Sequence, residues 1–230
     1  MAYRLLLIRH GQTAHNVENR YTGWGDPPLT DTGLHQAELL AEHLGSSYHL
    51  NRLYTSPLNR CQQTALAIAR AYDQTAEIRP NLKELYFGHI EGLTLEEARS
   101  RFPGMQTFSQ ALHDITFAYP GGERLVDFFW RIRRAILDTM VPPEGTVAVV
   151  THGGVIAAYL AYAVNDSPLR WVEYSIDNCS VTELEVSGRR SRLVRLNDTS
   201  FLSADTRRRL RISDAFPAPG AAQPSAPPAA

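Results

Sequence analysis

Short runs of consecutive apolar residues alternate with longer stretches in which apolar positions recur every three or four residues. Leu5-Leu6-Leu7-Ile8 is such a run; it reads as a strand buried on both faces, stopping at Arg9-His10-Gly11. A polar stretch holding Gly23, Gly25, Pro27 and Pro28 leads to Thr30-Asp31, a helix N-cap. Leu34, Ala37, Ala41 and Leu44 then keep helical spacing, and Gly45 is expected to close that helix. Leu50 to Thr55 reads as the second strand. Ser56-Pro57 is expected to start the next helix as N-cap and first-turn proline, with Leu58, Cys61, Ala65, Ile68 and Tyr72 on its apolar face. A further strand is expected around Ala76 to Arg79, continuing toward Leu85. Helices follow at residues 95–102 and after Gly122, where Leu125, Phe128, Phe129, Ile132 and Ile136 share one face. Val147 to Val150 is another core strand, ending in Thr151-His152-Gly153-Gly154 before an apolar helix. Val181 to Val186 and Leu193 to Leu196, joined through Ser187-Gly188, read as an antiparallel hairpin.

Strands and helices alternating at this spacing predict an α/β fold, a three-layer α/β/α sandwich around a mostly parallel sheet. No repeat or linker divides residues 1–204, which are expected to form one domain. Residues 205–230 open on Arg207-Arg208-Arg209-Leu210-Arg211 and pass into alanine and proline with little to bury, so a disordered tail is expected. The arginine run could meet an anionic partner, but a solvated last turn is the plainer reading.

Composition narrows the function. The 230 residues are 43% hydrophobic and carry a net charge of -1, which argues against nucleic acid or an anionic membrane as the main partner. The first residues are too short for a secretion signal, and no run approaches the roughly 18 apolar residues of a membrane span; a soluble cytoplasmic protein is expected. Lys83 is the one lysine among 23 basic residues, which reflects an arginine-rich composition more than phosphate gripping, since most arginines fall outside any motif. Cys61 and Cys179 have no metal or disulfide spacing, and Cys61 should be buried and inert.

The chemistry lies at the strand ends. His10 follows the first strand, Arg60 sits just inside the helix after the second, and His152 follows the strand at 147–150. In open α/β sheets ligands sit in the crevice beyond the carboxyl ends of the strands, so three junctions deliver Arg9, His10, Arg60 and His152 to one edge. Helix N-termini there favour an anion, and two guanidiniums can grip phosphate oxygens. A neutral imidazole is already a competent nucleophile near neutral pH. Its other ring nitrogen must then donate to an acceptor that the sequence does not name.

Leu-Ile-Arg9-His10-Gly11-Gln12-Thr13 resembles the signature of the histidine phosphatase (phosphoglycerate mutase-like) superfamily. Asn16, Gly25-Asp26-Pro27-Pro28-Leu29-Thr30, Ser56-Pro57-Leu58-Asn59-Arg60, Glu84-Leu85-Tyr86-Phe87-Gly88 with Glu91-Gly92, Gly121-Gly122-Glu123 and Thr151-His152-Gly153-Gly154 continue the resemblance in order, over about residues 4 to 200. It implies the phosphoglycerate mutase-like fold and a small-molecule phosphomonoester as substrate. It also implies catalytic roles for His10, Glu84 and His152, with phosphate binding by Arg9, Arg60, Thr13 and Asn16. His10 would attack phosphorus and Glu84 would protonate the leaving oxygen, then activate water. No metal or other cofactor is implied, because arginines and histidines supply the positive charge.

Gly153 stands where the acid phosphatase branch carries an aspartate, which places the acid role on Glu84; Glu91, or a surface pair between Glu84 and Lys83, is the rival reading. Ile90 and Arg124 depart from the family's usual tryptophan and serine, near segments that shape the leaving-group pocket. Gln12 and Glu123 are weaker candidates. Tyr21 and Trp24 could line the substrate mouth or pack beneath the loop. His15, His35, His43, His49, His89 and His113 share no ligand spacing, so surface or core placement is their default. Between Gly92 and Gly121 only Arg99 and Arg101 are basic, so the arginine-rich insertion of cofactor-dependent mutases is absent and water is favoured over substrate as acceptor. A phosphoglycerate mutase and an inactive phospholigand-binding relative are the alternatives, and a homodimer is left open.

Overall fold

The computed structural model describes residues 2–105, 114–137, 145–188, 190–203 and 206. In chain order, β1 (Ala2–Arg9) leads to a single turn α1 (Ala14–Val17) and the long α2 (Asp31–Ser47). Next come β2 (Arg52–Thr55), α3 (Asn59–Ala71) and the two-residue β3 (Glu77–Ile78). α4 (Leu95–Arg101) and α5 (Leu125–Leu137) precede β4 (Gly145–Thr151), α6 (Gly153–Ala163), β5 (Val181–Ser187) and β6 (Arg190–Asp198).

The six strands form one sheet in the order β3-β2-β4-β1-β5-β6. β1, β2, β3 and β4 run parallel, while β5 pairs antiparallel with both β1 and β6. The sheet is therefore mixed with a parallel centre. Alternation along β1 explains the layers. Leu5 and Leu7 face a cluster with Phe128, Ile132, Ile156 and Leu160 of α5 and α6. Leu6 and Ile8 face Leu40, Leu44, Ala65 and Ile68 of α2 and α3. Both faces are covered, so β1 and β4 read as unbroken apolar runs.

Several boundaries differ from expectation. Gly45 does not end α2, which continues to Ser47 with Tyr48 as C-cap; Leu34 on its expected apolar face is 41% exposed. α3 starts later than Ser56-Pro57 suggests, with Leu58 as an N-cap that makes no side-chain bond. Ser56 instead turns to His152. β3 does not continue toward Leu85, because the proline at position 80 opens a 3-10 turn, Pro80–Leu82. α1 and the 3-10 segment Pro168–Glu173 carry no periodic signal of their own. Among the described residues no helix is long and apolar enough to cross a membrane. The expected tail lies outside the described residues apart from Thr206.

Candidate active site

The carboxyl ends of β1 and β4 lie side by side, Arg9 opposite Thr151, so the residues that follow them, His10 and His152, become neighbours. Their rings stand 5.3 Å apart, centre to centre, in an edge-to-face pose. Arg60, from the first turn of α3, links the two. Its Nε donates to His10 Nε2 at 3.2 Å and its Nη2 to His152 Nδ1 at 3.1 Å. Only 1% of Arg60 is exposed. Its remaining donors are aimed by the loop after β1, through the carbonyls of Gly25 at 2.7 Å and Gly23 at 2.8 Å. Gly23 has a positive φ of 52°, and a Cβ there would collide with Glu91 Oε1. Glycine is thus required where the loop must reach Arg60.

These contacts assign the protons. A carbonyl only accepts, so the 2.7 Å contact between His10 Nδ1 and Gly11 O puts the proton on Nδ1 and leaves Nε2 with its lone pair. A guanidinium only donates, so His152 accepts at Nδ1, and its Nε2–H donates to Ser56 Oγ at 2.8 Å. Both imidazoles are held neutral, their pKa values well below the usual histidine range. Burial is the largest cause, followed by the charge of Arg60.

Arg9 is buried, which lowers its pKa to about 10. Its Nη1 donates to Ile176 O, and its Nε has no partner among the described residues. A buried N–H without an acceptor is uncommon and suits a site made for an anion. Glu84 lies across from it, over the start of α6. Its Oε2 accepts from Gly154 N at 3.0 Å and its Oε1 from Leu85 N at 2.9 Å. Arg9, His10, Arg60, Glu84 and Asn16 line one open cleft together with His15, Arg20, Tyr21, Phe87 and Leu95.

Residues 5–199 match the histidine phosphatase superfamily, branch 1. The chain belongs to that superfamily. A bifunctional protein of Mycobacterium tuberculosis is 36% identical over 203 residues, 86% of this chain but 55% of its own length; the chain thus spans about half of that relative. Phosphoserine phosphatase 1 of Hydrogenobacter thermophilus is 30% identical over 201 residues, covering 86% of this chain and 94% of its own. A mycobacterial glucosyl-3-phosphoglycerate phosphatase, solved in complex with VO3, superposes with a TM-score of 0.76 and 32% identity over 86% of this chain and 100% of its own.

Against the superfamily signature the structure sorts the expected residues. Arg9, His10, Arg60 and Glu84 meet in the cleft, and His152 lies directly behind Arg60. Thr13 does not reach the cleft. It is fully buried and caps α1 reciprocally with Asn16, Thr13 N donating to Asn16 Oδ1 at 3.0 Å. Glu91 braces the loop, accepting from Trp24 N, Gly25 N and Phe87 N at 2.8, 3.0 and 3.1 Å. Lys83 sits 4.2 Å over the Trp24 ring. Gln12 Oε1 accepts from Thr30, and Glu123 pairs with Arg131. Tyr21 lines the cleft, whereas Trp24 packs on Tyr86 and donates to Glu84 O at 2.8 Å. Cys61 is buried beside His152, its thiol pushed up to about 12 by burial.

Four participants escaped the sequence reading. Ser56 fixes the tautomer of His152, and as a polar residue closing a strand it carried the same signal as His10. Asn178 Nδ2 donates to His10 O at 3.0 Å and Asn16 Oδ1 at 3.1 Å. Thr64 accepts from Gly11 N at 3.0 Å. His15 lines the cleft. Among the described residues no cluster of ligands could hold a metal ion.

Proposed function

We propose that the chain hydrolyses small phosphomonoesters in two steps through a phosphohistidine on His10. In the first, His10 Nε2 bonds to phosphorus as the ester P–O bond breaks, and protonated Glu84 gives its proton to the departing oxygen. In the second, Glu84 takes a proton from water, whose oxygen bonds to phosphorus while the N–P pair returns to the ring. Arg9 and Arg60 supply positive charge to the phosphoryl oxygens through a transition state that needs mainly positioning and electrostatics. His152, neutral and bonded at both ring nitrogens, holds the Arg60 guanidinium in position for those oxygens. Asn16 lines the same cleft, with Thr13 acting through it. The small-metabolite phosphatases among the relatives support hydrolysis as the reaction.

One observation carries this reading. The Nδ1–H of His10 is tied to Gly11 O at 2.7 Å, which keeps the lone pair on Nε2 inside the arginine-lined cleft; it accepts from Arg60 Nε at 3.2 Å, a bond that attack on phosphorus exchanges for the N–P bond. The test is to mix the protein with a slowly hydrolysed substrate and trap it. Acid-labile, alkali-stable phosphate on the protein is expected, and its persistence in His10→Ala would refute the assignment. Incubation with 3-phosphoglycerate and 2,3-bisphosphoglycerate should release phosphate; interconversion of phosphoglycerates without release would make the protein a mutase.

A further inference from the structure

The cleft is lined by a second set of residues besides Arg9, His10, Arg60 and Glu84. Arg20 is the only lysine or arginine among the described lining residues besides Arg9 and Arg60, and it is already committed. Its Nε meets Glu18 Oε2 at 2.6 Å, and its Nη1 meets Glu97 Oε2 at 2.7 Å and Gly92 O at 2.8 Å. The backbone pairs Arg20 with Thr94, and the capping box of α4 fixes Glu97. Glu18 and Glu97 stand outside the lining, and one guanidinium between two carboxylates leaves this triad with net negative charge. Arg99 on α4 is exposed and does not line the cleft, and residues 106–113 contain no lysine or arginine. His15, with an Nδ1 that has no partner among the described residues, is kept neutral first by burial. The rest of the lining carries no charge: Asn16, Asn19, Thr22 and Gly23, and an apolar part made of Tyr21 and Phe87, 5.2 Å apart edge to face, and Leu95.

Resting on the phosphatase reading, we infer that the site selects phosphomonoesters whose leaving alcohol is uncharged and has an apolar or flat face, and disfavours those bearing a carboxylate. The phosphate is met by Arg9 and Arg60, which have no carboxylate hydrogen-bonded to them among the described residues. A second anion beside Arg20 would meet a guanidinium already bonded to Glu18 and Glu97, and like charges brought together discriminate strongly between ligands. The apolar part of the alcohol lies on Tyr21, Phe87 and Leu95.

Glycerol 3-phosphate and 3-phosphoglycerate share a three-carbon skeleton and differ in one hydroxymethyl against one carboxylate. With the full chain, kcat/KM for glycerol 3-phosphate should exceed that for 3-phosphoglycerate by about tenfold or more. Glu18→Gln combined with Glu97→Gln releases Arg20, and should narrow the gap at least fivefold, through a lower KM for 3-phosphoglycerate with aryl phosphate turnover unchanged. Equal turnover of the two esters in the parent overturns the inference while leaving the phosphatase reading intact. So does a gap that the double variant does not move. Failure to hydrolyse any of the three, aryl phosphate included, overturns both.

Discussion

Glu84 and Gly154 form one unit, because the carboxylate rests on the backbone N–H of Gly154 and occupies the space a side chain there would need. A Cβ at Gly154 would strike Glu84 Oε1, whereas one at Gly153 would meet Arg9 Nε at an ordinary 3.5 Å. The atom struck is the free end of a flexible side chain, so Gly154→Ala displaces the acid without breaking the fold. Alanine also favours the helix by about 1 kcal/mol over glycine. Gly154→Ala should keep its melting temperature and lose about tenfold to a hundredfold in alkyl phosphate turnover, with Gly153→Ala close to the parent. Glu84→Gln should lose about 10²-fold or more on alkyl phosphates and far less on aryl phosphates, whose leaving groups need little protonation. Steady-state assays on one alkyl and one aryl ester check both, and equal losses on the two esters would assign the acid elsewhere. At this scale the sequence was legible where a polar residue ends a strand, as with His10 and His152. It was silent on Gly11 O, Asn178 and Thr64, because carbonyls have no sequence signal and residues more than fifty positions away are brought in only by the fold.

At the scale of elements, the apolar patterns located the strands of residues 5–8 and 147–150 because burial on both faces leaves no polar position to blur them, and those of 50–55 and 181–186 despite Arg52, Glu183 and Glu185 within them. Ends were harder to read. Ser56 is a favourable N-cap by type, yet its hydroxyl meets His152, so the site overrides local helix chemistry. The segment around Glu84 has no regular structure, and α5 holds it in place. Arg131 donates from Nη1 to Asn81 O and Lys83 O, both at 2.8 Å, while its Nη2 and Nε meet Glu123 at 2.8 and 3.0 Å. Arg131→Met keeps the stem but takes the donor from Asn81 O and Lys83 O, leaves Glu84 O to Trp24 alone, and removes the ion partner of Glu123. A stability loss of about 1–3 kcal/mol is expected, with alkyl phosphate turnover falling more than aryl as Glu84 loses its position. Urea unfolding beside the two-substrate assay tests this; unchanged stability and turnover would show that the loop holds itself.

The whole molecule keeps two imidazoles neutral within a cluster of cations, and this links its stability to pH. Unfolded histidines titrate near 6.5, but His10 and His152 in the fold have pKa values pushed well below that by burial and by Arg60. Below pH 6.5 the unfolded chain therefore binds protons that the folded chain refuses. Stability from these groups is complete above that pH and is lost as pH falls toward the folded pKa values. Unfolding between pH 6.5 and 5.5 should accordingly take up protons, approaching two from this pair, and His152→Asn should reduce the uptake by about one. Bound phosphate acts in the opposite direction. Its negative charge raises the folded pKa values of both rings, so saturating phosphate should flatten the dependence of urea midpoint on pH as well as raise the midpoint. A midpoint that rises with phosphate by the same amount at every pH would mean that the anion binds away from the histidines. A slope untouched by His152→Asn would mean that acid sensitivity arises elsewhere, for instance at His15, whose pKa is also lowered by burial.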